Sequence, residues 1–498
     1  MNKLLLSSIS VLNQVYKEKA TGPVELVKAC FDRIEKTECL NAYIKTTKDI
    51  AKKQACEANN RFTTGERLSA LDGVPIAVKD NICTEGITTT CASKMLLNFV
   101  PTYNATVYKR LKDAGAILMG KTNMDEFAMG SSTIQSFFGP SKNPYGETFD
   151  DDNFYITGGS SGGSAVAVAT GSCFAAIGSD TGGSVRNPAS HCGVVGLKPT
   201  YGVISRYGLI PLAESLDTVG IFTRTINDCV IVFNHIAGPD DLDSTARKRI
   251  DLPIRLPTKP NLNGLKIGIP REFQSTHLMN EVKQTWDDVA KILKDQGAEV
   301  SEVSIPNVIL SQMCYNVVNC CAISSNMARY DGIRYGHRAE NAENSIEELY
   351  AKTRTEAFND VVKSRIIAGN YFLLNENYEK YYVQATRLRR LIANDFDQVF
   401  ENVHMMLTPT NLSTAPSVKE FLLHDDRSRT AMEDVYTLSA NLVGVPALSI
   451  PIKLSKDKLP ISIQLIGPNC SERALFSVAK VIEGIVKFPL QCLDNRYL

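Results

Sequence analysis

What this chain has least of is surplus charge: 54 basic residues balance 54 acidic ones and the formal net charge is zero. A nucleic-acid binder carries a basic footprint, so any contact with RNA falls to a partner. The 13 cysteines are odd in number and contain no C-x-x-C pair. That excludes a zinc ribbon, argues against a disulfide framework and favours a reducing compartment. No apolar run approaches the roughly 18 to 20 residues of a membrane span. Residues Met1 to Ala20 lack arginine and have no acidic residue before Glu18, which makes them at best a weak transit signal. The six histidines, His191, His235, His277, His337, His404 and His424, show neither catalytic nor metal-ligand spacing, so no metal is expected. Leu310 to Val399 contains no proline. With its many charged residues and tyrosines and few strand signals, it predicts a helical region, a candidate cap over a site.

What is present in excess is glycine and serine in one place. Gly158-Gly159-Ser160-Ser161-Gly162-Gly163-Ser164 is flanked by apolar segments, and Asp180-Thr181-Gly182-Gly183-Ser184 follows the strand-like run Phe174 to Ile177. Such runs cannot form a core. Glycine lets backbone N–H groups converge because it tolerates left-handed dihedrals, and converging N–H groups hold anions or oxyanions. The two clusters predict a serine-based acyl-transfer site.

The remaining pattern is mixed α/β. Val24, Val27, Phe31 and Ile34 follow Pro23 at helical spacing, and Gly73 to Val78 reads as a buried strand ending at Lys79. Val107, Leu111 and Ala114 predict a helix stopping at Gly115, with a strand over Ala116 to Met119. Leu265 to Ile269, the helical face Val282, Trp286, Val289 and Leu293, and Ala298 to Ile305 form a βαβ unit, hence a parallel pair. Strands are expected again near Met405 to Leu407, Val445 to Ile452 and Ile461 to Ile466, before a last helix over Ala474 to Ile485. No repeat or low-complexity linker divides the 498 residues, so one intertwined α/β domain is expected.

One motif misleads. Gly115-Ala116-Ile117-Leu118-Met119-Gly120-Lys121-Thr122 has the letters of a P-loop. A P-loop follows a strand and opens a helix, whereas here a helix ends at the first glycine and the intervening residues are apolar and strand-like. The reading adopted is a helix-to-strand turn.

A serine hydroxyl needs a base. With histidine not obviously available, a lysine kept neutral by burial is the next candidate, since desolvation lowers an amine pKa, and Lys79 at the end of a buried strand suits that role. Lys79, Ser160 and Ser184, with the block from Gly158 to Ser184, resemble the amidase-signature family and its Ser-cisSer-Lys triad. The resemblance implies a single large mixed β-sheet flanked by helices over residues 1–498, with a mainly helical region at 310–400. It implies Ser184 as the acyl-forming nucleophile, Ser160 as a relay on a cis peptide bond, Lys79 as the base, and the N–H groups of Thr181, Gly182 and Gly183 as oxyanion hole.

The resemblance covers nearly the whole chain and narrows to the branch formed by the A-type subunits of glutamyl-tRNA(Gln) amidotransferases, through Lys121 to Gly130, Gly196 to Arg206 and Ser324 to Gly336. Alignment on Ser324-Ser325-Asn326, Arg365-Ile366 and Asn441-Leu442 puts the glutamine-binding residues at Tyr315, Arg365 and Asp434. Arginine suits an α-carboxylate, aspartate an α-ammonium and tyrosine a hydrogen bond. The implied activity is glutamine hydrolysis with ammonia passed to a partner. No cofactor is implied in this chain, and ATP and Mg belong to the partner. Subunits B and C complete the implied heterotrimer, which acts on Glu-tRNA(Gln), without a membrane. Asn187 and His191, where bacterial forms usually have glutamine and phenylalanine, and the acidic insertion Phe149 to Asn153 are similar to animal mitochondrial forms. They imply the mitochondrial matrix, with the cytoplasm as alternative. Rival readings are a free-standing amidase of another amide, for which a buried pair of opposite charges would be useless, and a non-catalytic assembly factor with a vestigial triad.

Overall fold

A computed structural model describes residues 2–147, 149–150, 152–340, 345–489 and 493. Asp151 of the acidic insertion lies outside the described residues. The strands are β1 (Tyr43–Thr46), β2 (Pro75–Lys79), β3 (Ile117–Thr122), β4 (Ala175–Asp180), β5 (Val195–Lys198), β6 (Thr218–Thr223), β7 (Lys266–Pro270), β8 (Glu299–Val303), β9 (Met405–Pro409), β10 (Ala447–Leu454) and β11 (Pro460–Ile466). They form one 11-stranded sheet in the order β1-β3-β2-β4-β6-β5-β10-β11-β9-β7-β8. Pairs β2/β3, β2/β4, β7/β8 and β7/β9 are parallel and the others antiparallel. This is the mixed, helix-flanked sheet expected. The central strands are buried along their whole length, as strands covered on both faces must be.

Two consequences position the site. Strands β2 and β4 are parallel neighbours, so their C-terminal residues, Lys79 and Asp180, emerge on the same edge of the sheet, where α/β folds place ligands. The glycine–serine block feeds the helix Gly162–Ala169, every residue of which is buried. Its small side chains let it lie close against β2, β4 and β6.

The helix Pro23–Lys36 starts at proline as expected, but its buried face is Leu26, Val27, Cys30 and Phe31, with Val24 39% exposed. The face is turned toward the helix Lys48–Thr64 that packs on it. Within the segment Met1 to Ala20, Leu5, Ile9, Leu12 and Tyr16 are buried, and Asp228 accepts the Ile9 N–H at 2.9 Å. The proline-free region is helical, with helices Ser311–Met327, Ile346–Ala357, Asp360–Leu373 and Gln384–Phe400 among its described residues. Pro306–Met327 is long and apolar enough by composition to cross a membrane, but half of it is buried. It packs against Asp360–Leu373 and Gln384–Phe400 as a core helix does. Every cysteine among the described residues is a free thiol.

The P-loop letters resolve as a turn and a buried strand. Gly115 has φ +88°, the left-handed region that favours glycine, and Ile117–Thr122 is β3. Lys121 is fully buried, paired with Asp80 at 3.2 Å, and donates to Thr89 Oγ1 at 2.7 Å and the Ile82 carbonyl at 2.9 Å. Lys121→Ala would strand the Asp80 charge and is expected to cost about 3–5 kcal/mol. A lowered thermal midpoint, with no ATP binding by the unsubstituted chain in calorimetry, checks this.

Candidate functional site

Lys79 is fully buried, and in its protonated form it donates to Ser160 Oγ at 2.7 Å, Ser179 Oγ at 3.0 Å and the Ser179 carbonyl at 3.4 Å. Burial pulls its pKa down to about 7, against the opposing pull of Asp125, Asp180, Cys91 and Asp217. A neutral amine that can take a proton is therefore accessible near neutral pH. Ser160 follows Gly159 across a cis peptide bond.

Asp125 holds this turn from beneath. Its carboxylate accepts the N–H groups of Thr133 at 2.9 Å, Gln135 at 3.1 Å and Ser132 at 3.3 Å, and its own N–H donates to the Ser160 carbonyl at 3.3 Å. The loop 131–135 lies so close that a side chain at Gly159 would collide with Asp125 Oδ2 and the Ser132 backbone. Glycine at 159 is therefore a matter of space, as it is at 182, whereas at 183 it is a matter of both space and dihedral.

Ser184 closes the loop after β4 and is 8% exposed. Its hydroxyl makes no hydrogen bond among the described residues. The two serine segments are nevertheless tied, because Asn187, one turn after Ser184, accepts the Gly159 N–H on its Oδ1 at 3.3 Å. Gly183 has φ +148°, and a Cβ there would meet Thr437 Oγ1 and lie 2.9 Å from Asp434 Oδ1. At Gly182 a Cβ would lie 2.8 Å from the Tyr315 hydroxyl. Thr181 Oγ1 donates to Asp217 Oδ1 at 2.7 Å.

Tyr315 and Asp434 are thus brought to Gly182 and Gly183 from separate helices. Tyr315 and Arg365 line a cavity of about 780 Å³ that also has Gln135, Phe372 and Thr430 on its wall. The Tyr315 hydroxyl is pushed far up by burial. The Asp434 carboxyl is raised by burial and then by Glu433, with Arg186 and Arg365 opposing, and its Oδ1 has no hydrogen-bond partner.

The sequence reading missed the supports. Asp180 and Arg186 form a bidentate buried pair, Nη2 to Oδ1 at 3.0 Å and Nε to Oδ2 at 3.1 Å, and their placement on either side of Ser184 was the available signal. Asp125, Ser179 and Thr437 carry no such signal. His191, which lacked any spacing partner in sequence, is buried and bonded to Glu433 Oε2 at 2.7 Å. No group of metal-binding side chains occurs among the described residues.

Residues 25–476 match the amidase family. The chain belongs to the amidase family. The A-type subunit of the mitochondrial glutamyl-tRNA(Gln) amidotransferase from Aedes aegypti is 55% identical over 490 residues, covering 98% of this chain and 99% of the relative. The Homo sapiens protein of the same name is 48% identical over 503 residues, covering 98% and 95%. The crystal structure of the A-type glutamyl-tRNA(Gln) amidotransferase subunit from Thermotoga maritima superposes with a TM-score of 0.78 at 34% identity, covering 96% of this chain and 94% of that one. A 6-aminohexanoate cyclic dimer hydrolase, at 22% identity and a TM-score of 0.83, shares the fold. The large mixed sheet is thus the amidase fold, and this amidase is an enzyme of the amidotransferase kind.

Two outcomes are expected from the site of this amidase. With Lys79 as base, amide hydrolysis requires its neutral form and rises with pH through about 7. One pH unit below that value the rate is expected to be about tenfold lower, in a pH profile of kcat/KM. If the Gly183 N–H is an oxyanion donor, Gly183→Ala is expected to lower kcat about 100- to 1,000-fold by displacing it, with circular dichroism unchanged.

Proposed function

We propose that this chain is the glutaminase subunit of a glutamyl-tRNA(Gln) amidotransferase. The observation that carries the proposal is the approach of Tyr315 to Gly182 and of Asp434 to Gly183, with Arg365 beside Tyr315 on the wall of the cavity. An amide with an apolar acyl group has no use for a half-buried arginine and a buried carboxyl, whereas glutamine presents an α-carboxylate to the arginine and an α-ammonium to the aspartate. A carboxyl raised by burial and by a neighbouring carboxylate gains from an arriving ammonium, which supplies the missing opposite charge. The Tyr315 hydroxyl, neutral at any working pH, donates a hydrogen bond.

Neutral Lys79 accepts the Ser160 proton as Ser160 accepts the proton of Ser184. Ser184 Oγ attacks the side-chain carbonyl carbon of glutamine, and the oxyanion that forms faces the N–H groups of Thr181, Gly182 and Gly183. Collapse breaks the C–N bond, and the relayed proton leaves with ammonia. Water then hydrolyses the γ-glutamyl ester by the same relay, giving glutamate. Protonated ammonia is no nucleophile, so the product must travel through a closed path to a partner, where ATP and Mg activate Glu-tRNA(Gln). Subunits B and C are the partners proposed, and a net charge of zero suits a chain that leaves tRNA to them. The relatives named mitochondrial support a place in the mitochondrial matrix.

The test incubates the chain, co-purified with its partner subunits, with glutamine and a panel of other amides and reads the adduct by mass spectrometry. A γ-glutamyl adduct on Ser184, absent in Ser184→Ala, is expected; an adduct from a different amide alone overturns the reading. Arg365→Ala is expected to raise KM for glutamine about 10- to 100-fold, the loss of a charge-assisted hydrogen bond, in steady-state kinetics.

A further inference from the structure

Thr437 lies 255 residues from Gly182 in sequence, yet its Oγ1 donates to the Gly182 carbonyl at 2.7 Å in a fully buried position. The same hydroxyl is 3.0 Å from the Asp434 carbonyl, but that oxygen already accepts the Thr437 N–H at 2.9 Å. The hydroxyl has a single proton, and the shorter of the two distances assigns it to Gly182. The Thr437 carbonyl in turn accepts from Arg186 Nη1 at 2.9 Å, and Arg186 is paired with Asp180 at the base of the same loop.

The peptide plane gives this bond its meaning. In a trans peptide the C=O of one residue and the N–H of the next point in opposite directions, so whatever holds the Gly182 carbonyl also aims the Gly183 N–H. That N–H is one of the three proposed oxyanion donors. The linkage Gly182–Gly183 lies between two residues without Cβ, the second at φ +148°, and glycine offers little resistance to rotation of such a peptide. A donor on a freely rotating peptide is not preorganised, and preorganisation is what makes an oxyanion hole effective.

We propose that Thr437 is a positioning residue that locks the Gly182–Gly183 peptide with its N–H aimed at the oxyanion. Through its N–H on the Asp434 carbonyl, the lock is continuous with the end of the helix Asp426–Asp434 that presents the proposed ammonium-binding carboxylate. The recognition group and the oxyanion donor thus share one anchor. The inference rests on the glutaminase reading only for the choice of substrate.

The test measures kcat and KM for glutamine and for a simple neutral amide, using the chain with its partner subunits, for the unsubstituted protein, Thr437→Val and Thr437→Ser. Valine keeps the shape and removes the hydroxyl, and serine keeps the hydroxyl. Thr437→Val is expected to lower kcat at least about tenfold, with the 100- to 1,000-fold of a lost donor as upper bound, and to leave KM within about twofold. Thr437→Ser is expected to stay within about threefold of the unsubstituted kcat. An unchanged kcat in Thr437→Val, or equal losses in both variants, overturns the proposal. If Thr437→Val does not fold, Thr437→Ala carries the same expectation. Turnover of the neutral amide and not of glutamine would defeat the glutaminase reading alone, and the valine-to-serine ratio of kcat on that amide would still decide the role of Thr437.

Discussion

The buried pair between Asp180 and Arg186 is the constraint on which the rest of the site depends. Asp180 ends β4, and Arg186 opens the short helix after Ser184, so a single ion pair pins both ends of the loop 181–184. Two buried charges are costly unless geometry and further hydrogen bonds are complete, and here they are. Besides Asp180, the guanidinium donates to the Thr437 carbonyl at 2.9 Å, to Gln464 Oε1 at 2.8 Å and to Asn441 Oδ1 at 2.5 Å. Asn441 also donates to Asp180 Oδ1 at 2.9 Å. Burial alone would push the Asp180 carboxyl up, but Arg186, Lys198 and Asn441 bring it down to about 2. It remains ionised wherever the enzyme works.

Around this anchor the same physical device is used in opposite senses. Asp180 is buried with a full set of partners and stays charged, while Lys79 is buried among hydroxyls and a carbonyl and loses its charge near neutrality. The first gives rigidity and the second gives an amine able to accept a proton near neutral pH. Both sit at the C-terminal ends of adjacent parallel strands, so the sheet sets the distance between the group that must not titrate and the group that must.

The glycine–serine clusters, Lys79 after its apolar strand and the helical stretch from 310 to 400 were legible because each is local. A run of seven small polar residues in an apolar context, a strand ending in a lysine, or ninety residues without proline can be read from neighbours in sequence. Local pattern also disposed of the P-loop letters, since apolar residues between Gly115 and Gly120 belong in a strand. Of the face read on Pro23–Lys36, Val27, Phe31 and Ile34 pack on the core and only Val24 is exposed, because the limits of a helix face depend on the element packed against it. Tyr315, Arg365 and Asp434 were reached only by family likeness. Each taken alone is an ordinary residue on a helix, and nothing local marks Tyr315 as facing Gly182 or Asp434 as facing Gly183.

By itself, then, the sequence pointed to the chemistry: two glycine–serine clusters in an apolar context, and a lysine at the end of a buried strand. These follow from composition and short-range order. The tertiary structure alone decided which polar groups would hold that chemistry in place. Asp125 lies under the cis turn, Asp217 beside Thr181, and Thr437 on the Gly182 carbonyl. Such partnerships join segments far apart in the chain, and their worth comes from exclusion of water and from distances below about 3 Å. Neither condition exists until the sheet has closed and the helices have packed on it.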